Sequence, residues 1–233
     1  MILPLSAIWG GGVSTILDEA FAWFDFSDAS TVTEISGAVD VIADKNGSGR
    51  TAIAPSAGAR PLYTANYKNG LYAAQFDGSF DYLVSSFAVE DATELTYFIA
   101  AQNNSGLVNA EFLAIEDTTT NHLNRLNVSN SNQDLFVGER FPTNSAISMP
   151  FSSASRLNSF GAVSYLKGSI QKARYNNDIY YTSALFSLSR VMTKISIGAR
   201  STGVNKINAD IGDVIIFNQT LSDVDIDFVT NYL

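Results

Sequence analysis

The sequence contains no cysteine and one histidine, His122. Disulfide staples, thiol catalysis and Cys-based zinc sites are therefore excluded. One imidazole without a thiol is too little for a zinc or iron centre of ordinary ligand type. A Ser-His-Asp arrangement would have to use His122. Its setting, Asn121-His122-Leu123-Asn124, carries no nucleophile elbow and reads as an ordinary surface histidine. No stretch reaches the ~18 apolar residues of a membrane span. There is no P-loop and no dinucleotide glycine motif.

Positive charge is also scarce. Lys and Arg number 14 against 23 Asp and Glu, for a net charge of −9. A general nucleic-acid binder needs a basic footprint to release counterions, so that class is disfavoured. The charge is unevenly spread. Residues 1–44 hold seven acids and no Lys or Arg, and residues 207–233 hold five acids and no Lys or Arg. Residues 121–206 reverse the balance, with ten Lys or Arg against three acids. Acidic ends and a basic middle can meet each other or neighbouring copies.

What is present is core material. Of 233 residues 46% are hydrophobic and 12% aromatic, a composition suited to pleated, half-buried surfaces. The first residues, Met1 to Leu17, are apolar without a preceding Lys or Arg, and Pro4 and Gly10, Gly11 and Gly12 interrupt them. That is a poor export signal. Residues 1–20 are expected to form a mobile or partner-docking arm, with Ile2, Leu3, Leu5, Ile8 and Trp9 as its docking side chains. Thr15-Ile16-Leu17-Asp18 has capping-box character. Strands are predicted at Phe21–Phe26, Tyr72–Phe76, Thr96–Ala101, Glu111–Ile115, Arg125–Val128, Gln133–Val137, Phe160–Tyr165, Ser169–Tyr175, Met192–Ala199 and Asp213–Asn218. Asn-, Ser-, Gly- and Asp-rich turns separate them. Ser222-Asp223-Val224-Asp225 is a second capping box. Ile226, Val229 and Leu233 follow at helical spacing, which predicts a closing helix. No long amphipathic helix interrupts the strands, so parallel βαβ architecture is not expected.

Two blocks carry a family resemblance. The first runs through Ala22-Trp23-Phe24-Asp25-Phe26, Asp44-Lys45-Asn46-Gly47-Ser48-Gly49, Arg60-Pro61-Leu62-Tyr63, Gln75-Phe76-Asp77-Gly78 and Asp81-Tyr82-Leu83. The second runs through Ile197-Gly198-Ala199-Arg200, Ile211-Gly212-Asp213-Val214-Ile215-Ile216-Phe217-Asn218 and Leu221-Ser222. In this order they resemble the laminin-G-like branch of the concanavalin A-like lectin/glucanase superfamily, of the kind found in phage virion proteins. The resemblance implies an all-β fold over residues 21–233: a jelly-roll β-sandwich of two antiparallel sheets, with a short N-terminal arm or helix and a short C-terminal helix.

Members of that family bind sugars, bind proteins, decorate secreted enzymes or build phage particles, so function rests on the site. Hydrolases on this fold place acids two residues apart along one strand. Here Glu111 and Glu116 are five apart, an odd spacing that predicts opposite strand faces. Asp117 would then share a face with Glu111. Asp223, Asp225 and Asp227 fall where a helix is expected and read as charges favoured by its dipole. Calcium is the one ion weighed, through Asp44 and Asn46 (with Ser48) or Asp77 and Asp81; no other cofactor is expected. Tyr175, Asn177, Tyr180 and Tyr181 combine aromatics with amides as a glycan platform would.

The function expected from these features is non-enzymatic. It is a virion structural protein, a capsid decoration or tail/fibre component made in the host cytoplasm. Its partners would be other virion proteins, further copies of itself and a cell-surface glycan, without nucleic acid and without a membrane span. A lectin-type carbohydrate-binding module, calcium-assisted or not, is the alternative, followed by a glycoside hydrolase of the same fold.

Overall fold

The computed structural model describes residues 15–65, 70–85, 87, 94–104, 109–117, 122–128, 135–140, 145–149, 160–167, 170–175, 181–184 and 192–233; between 122 and 184 it describes the side chains of Leu126 and Asn127 only. The fold is antiparallel β, one continuous sheet curled into two facing layers. Its strands are β1 (Ala22–Asp25), β2 (Val32–Ile35), β3 (Ala38–Ala43), β4 (Thr51–Ile53), β5 (Leu62–Thr64), β6 (Ala73–Asp77), β7 (Leu83–Ser85), β8 (Glu94–Asn103) and β9 (Ala110–Asp117). They continue with β10 (His122–Val128), β11 (Leu135–Arg140), β12 (Ser145–Met149), β13 (Phe160–Lys167), β14 (Ile170–Tyr175), β15 (Tyr181–Ala184), β16 (Lys194–Ile197) and β17 (Asn208–Phe217). One helix, α1 (Asp223–Tyr232), closes the described chain.

β17 is the hub of the first layer. It pairs with β8 on one side, and with β6 and then β1 on the other. β13, β14 and β15 continue the layer beyond β8. The second layer runs β2-β3-β4-β7-β16-β9-β10-β11-β12. Short β5 joins the layers, pairing with β3 and β6, and β12 lies against β14 and β15 at the far side.

Alternation fills the space between. On β1, Ala22 and Phe24 face inward, and Phe26 continues their face; they meet Phe76, Tyr97, Ile99, Phe112, Ile197, Val214 and Ile216 in the main core. Trp23 faces outward with Phe98, Ile215 and Phe217, and together with Leu17, Ala20, Ile226 and Val229 they make a second, smaller core. A bulge at Gly212 allows this. Ile211 opposes Ala101 and Asp213 opposes Ala100, so both Ile211 and Val214 point inward, whereas an unbroken strand would send them to opposite faces.

The first predicted capping box forms, and the second forms as a side-chain N-cap. Thr15 and Asp18 cap a 3₁₀ turn over Ile16–Glu19, a shorter element than an α-helix. The Ser222 hydroxyl accepts the Asp225 N–H at the start of α1. Leu17 and Ala20 thus belong to the second core, while residues 1–14, with Ile2, Leu3, Leu5, Ile8 and Trp9, lie outside the described residues.

Candidate functional site

The sequence-derived glycan platform is described only in its backbone. Tyr175 ends β14 and Tyr181 opens β15 opposite Ala173, so the two tyrosines sit on neighbouring strands at one end. Asn177 and Tyr180, and the side chains of Tyr175 and Tyr181, lie outside the described residues. The Asp44 carboxylate accepts the N–H groups of Trp23 at 2.7 Å and Ser48 at 3.1 Å. The Asn46 amide donates to the Leu17 carbonyl at 2.8 Å. Both side chains tie the glycine turn to β1 and to the N-terminal 3₁₀ turn.

The face assignment of Glu111 and Glu116 is corrected by a bulge. Leu126 opposes Leu113 but Asn127 opposes Glu111, so Phe112 is an extra residue in β9. Phe112, Leu113 and Ile115 all enter the main core. Glu111 and Glu116 therefore share the other face, because the extra residue restores the phase that odd spacing breaks. There they do structural work. Glu111 accepts Arg200 Nε and Asn205 Nδ2, each at 2.9 Å, and Glu116 accepts Ser196 Oγ at 3.2 Å and the Ser201 N–H at 2.7 Å. Their Cα atoms are roughly 15 Å apart along the strand, and both carboxylates converge on the Arg200–Ser201 segment, where each is taken up by structural donors.

The outer face of the first layer is open where β5, β6 and β17 meet. A cleft of about 520 Å³ is lined there by Leu62, Gln75, Phe76, Asp77, Asp81, Asn104, Asn208 and Asp210. Strand register builds it. Leu62 opposes Gln75 and Gln75 opposes Asp210, while Asp77 opposes Asn208. The Gln75 amide donates to Asp210 Oδ1 at 3.0 Å, which fixes both side chains across the strands. The turn after β6 is locked by its own acids. Asp77 Oδ1 accepts the N–H groups of Ser79, Phe80 and Asp81, and Asp81 Oδ2 accepts the Asp77 N–H at 3.0 Å. Burial opposes ionisation of Asp77, but those N–H donors win and hold its carboxyl below the usual range. Asp81 behaves oppositely. Burial, and then the Asp77 charge, push it up to about 6. Phe80, at the tip of this rigid turn, is 67% exposed, and Leu62 is 48% exposed. Polar groups held in register beside exposed apolar side chains can hydrogen-bond hydroxyls and cover the C–H face of a ring.

A second polar cluster lies beside the smaller core. Asp25 and Asp213 are directly opposed across β1 and β17. Lys45 Nζ bonds Asp25 and lies 4.6 Å from the Trp23 ring centre. Trp23 Nε1 donates to Asp213 Oδ1 at 3.1 Å, and Tyr232 meets Trp23 edge-on at 5.4 Å. Burial, and then Asp25, push Asp213 up to about 7; Trp23 and Lys45 only partly offset this. Burial and the same carboxylates raise the Tyr232 phenol. Because the folded protein holds a proton on Asp213 that the unfolded chain releases near pH 4, stability falls as pH rises from about 4 to about 7 and stays low above that. The full shift of about three units corresponds to roughly 4 kcal/mol; Asp213 is only partly shielded by its neighbours, and solvent screening reduces the expected cost to about 2 kcal/mol. Asp213→Asn should accordingly be more stable than the parent by about 2 kcal/mol at pH 8, with the gain vanishing at pH 4. Urea melts at both pH values check this, and an equal gain at both would show that ionisation is not its cause.

No family model matches the sequence, and no curated protein matches it. Solved structures do. The receptor-binding domain of botulinum neurotoxin D aligns with a TM-score of 0.64 at 12% identity, over 94% of this chain and 54% of that one. A structure concerning the entry of botulinum neurotoxin type C into cells, which is dependent on interaction with two ganglioside molecules, aligns at 0.65 and 13%, over 93% and 52%. The SAP-like pentraxin of Limulus polyphemus aligns at 0.55 and 11%, over 67% and 80%. The chain spans about half the length of the neurotoxin chains. At these identities the likeness is one of fold, the lectin-type jelly roll, and two of the three matched structures carry the name of a toxin receptor-binding domain or a pentraxin rather than of an enzyme.

Proposed function

We propose that this protein is a non-catalytic, lectin-type module that binds a glycan in the cleft between β5, β6 and β17. The observation that carries the reading is the Leu62-Gln75-Asp210 row beside the locked Asp77–Asp81 turn: amide and carboxylate groups fixed across strands next to exposed Leu62 and Phe80. The fold shared with toxin receptor-binding domains and a pentraxin supports it. The structural use of Glu111 and Glu116 favours binding over hydrolysis. Glycan-array screening of the full chain, followed by calorimetry, tests it. Gln75→Ala and Phe80→Ala should each weaken the selected glycan at least about tenfold, the loss of roughly 1.4 kcal/mol that one good contact supplies, with melting temperature unchanged. Binding untouched by both substitutions would move the site elsewhere.

For its setting we propose a virion, with the module serving as a capsid decoration or tail/fibre component that assembles with other copies and with other virion proteins. The support is the charge distribution: acidic ends and a basic central third suit copy-to-copy contacts. Mass spectrometry of purified particles should find the chain in stoichiometric amount. Its absence from them would refute this placement and leave the glycan reading intact.

A further inference from the structure

Resting on that glycan reading, we propose that the cleft selects an amino sugar, a glycan bearing free ammonium groups, and rejects sialylated and uronic-acid glycans. Its walls are one-signed. Asp77, Asp81 and Asp210 supply carboxylates, Gln75, Asn104 and Asn208 supply amides, and among the described residues no basic side chain lines it. Lys68, between β5 and β6, lies outside the described residues; the two described cations nearest in the chain are engaged elsewhere. Arg60, two residues before Leu62, pairs with Asp40 at 2.6 Å. Lys206, two residues before Asn208, bonds the Gly203 carbonyl.

The carboxylates are also poorly arranged for a metal. Among the described residues no group of three or more His, Cys, Asp or Glu could hold one. They are spread along the walls, which suits an extended polycationic ligand more than a point ion. Asp81 carries the argument furthest. It is 8% exposed, its Oδ2 takes the Asp77 N–H, and among the described residues its other oxygen receives no hydrogen bond. That oxygen is open to solvent at the cleft, so a ligand donor would replace water there, and charge-assisted N–H donors are the strongest available. An anionic sugar would instead bring like charge against three carboxylates, a repulsive element that gives specificity.

Two oligosaccharide pairs test the charge. Chitosan tetramer and chitin tetramer share a backbone and differ in N-acetylation, which replaces an ammonium by a neutral amide; sialyllactose adds a negatively charged sialic acid residue to lactose. By calorimetry at low salt, chitosan tetramer should bind at least about tenfold tighter than chitin tetramer, a Coulombic margin that salt erodes. Asp81→Asn and Asp210→Asn should each cut that ratio toward one. Affinity should fall as pH drops below about 6, where Asp81 takes a proton; among the described residues the other titratable groups lining the cleft are Asp77 and Asp210. Equal or tighter binding of chitin tetramer, or binding of sialyllactose above lactose, overturns this inference and leaves the glycan reading standing. Oligolysine binding as tightly as chitosan also overturns it, since charge without sugar shape would then suffice. Failure of every glycan to bind overturns both.

Discussion

Gly198→Ala is expected to destabilise the protein by about 4 kcal/mol, from two additive causes. The residue has φ +84°, where an L side chain costs roughly 1–2 kcal/mol. A Cβ there would stand 2.3 and 2.5 Å from Cδ1 and Cε1 of Phe76. Phe76 is fully buried in the main core, so its ring cannot swing clear, and overpacking of this kind costs about 1–3 kcal/mol. The backbone cannot yield either. The Gly198 N–H donates to the Phe112 carbonyl, and the Gly198 carbonyl accepts the Ile207 N–H, both at 2.9 Å. For a chain of this length the melting temperature should drop by about 10 °C. Phe76→Leu in the same chain removes the contact, so the double variant should lose less than the two single losses added together. A loss below 1 kcal/mol would show that the segment after β16 adapts where these contacts say it is fixed. The cleft should register the change as well, because Gln75 and Asp77 flank Phe76 on β6 and a displaced strand moves both.

Gly198 also shows what could be read before any coordinates. It stands in the Ile197-Gly198-Ala199-Arg200 block that carries the family resemblance, and the structure supplies the reason a glycine is needed there: close approach of an aromatic ring to a backbone held at positive φ. The two helix starts at Thr15 and Ser222 were legible in the same way, since a cap is a local chemical device in which side chain and N–H lie within three residues. So was the first strand, predicted at Phe21–Phe26 and found as β1. The three-residue strands β4 and β5 were not, because so short a run has no detectable period and exists only through pairing with distant partners. β2 and β3 were missed at their turn: Ser36 and Gly37 both have positive φ, and Ser is not the residue that usually signals such a hairpin. The candidate cleft escaped sequence reading for a deeper reason. Gln75 and Asp210 are 135 residues apart, and they meet because register brings them opposite each other. Asp77 and Asp81 were visible as carboxylates near one another, yet their use in locking a turn depends on backbone N–H groups that no residue type announces. The spacing argument for Glu111 and Glu116 failed on a single extra residue, since a strand's two-residue period is reset by every bulge it contains.

That reset face supplies the second large effect. Arg200→Ala should cost about 3–5 kcal/mol, the usual penalty for leaving a buried charge without its partner. Glu111 is fully buried, and Arg200 Nε reaches it at 2.9 Å from the segment that follows β16. Removing the guanidinium leaves the Asn205 Nδ2 amide on the same oxygen, and a neutral amide stabilises a carboxylate far less than a cation does. The segment itself should loosen, because the Arg200 N–H bonds the Val204 carbonyl and the Gly203 N–H bonds the Arg200 carbonyl. A purely electrostatic origin has a distinctive signature. Glu111→Gln combined with Arg200→Met removes both charges while keeping shape, and replacing a buried pair by neutral groups is often close to energetically neutral. The double variant should therefore recover most of the loss seen in Arg200→Ala, and a double-mutant cycle over Glu111→Gln and Arg200→Met should return a coupling of about 2 kcal/mol. Chemical denaturation of the four proteins measures it. If the double variant is as unstable as the single ones combined, packing of the arginine stem, and not its charge, holds this face together.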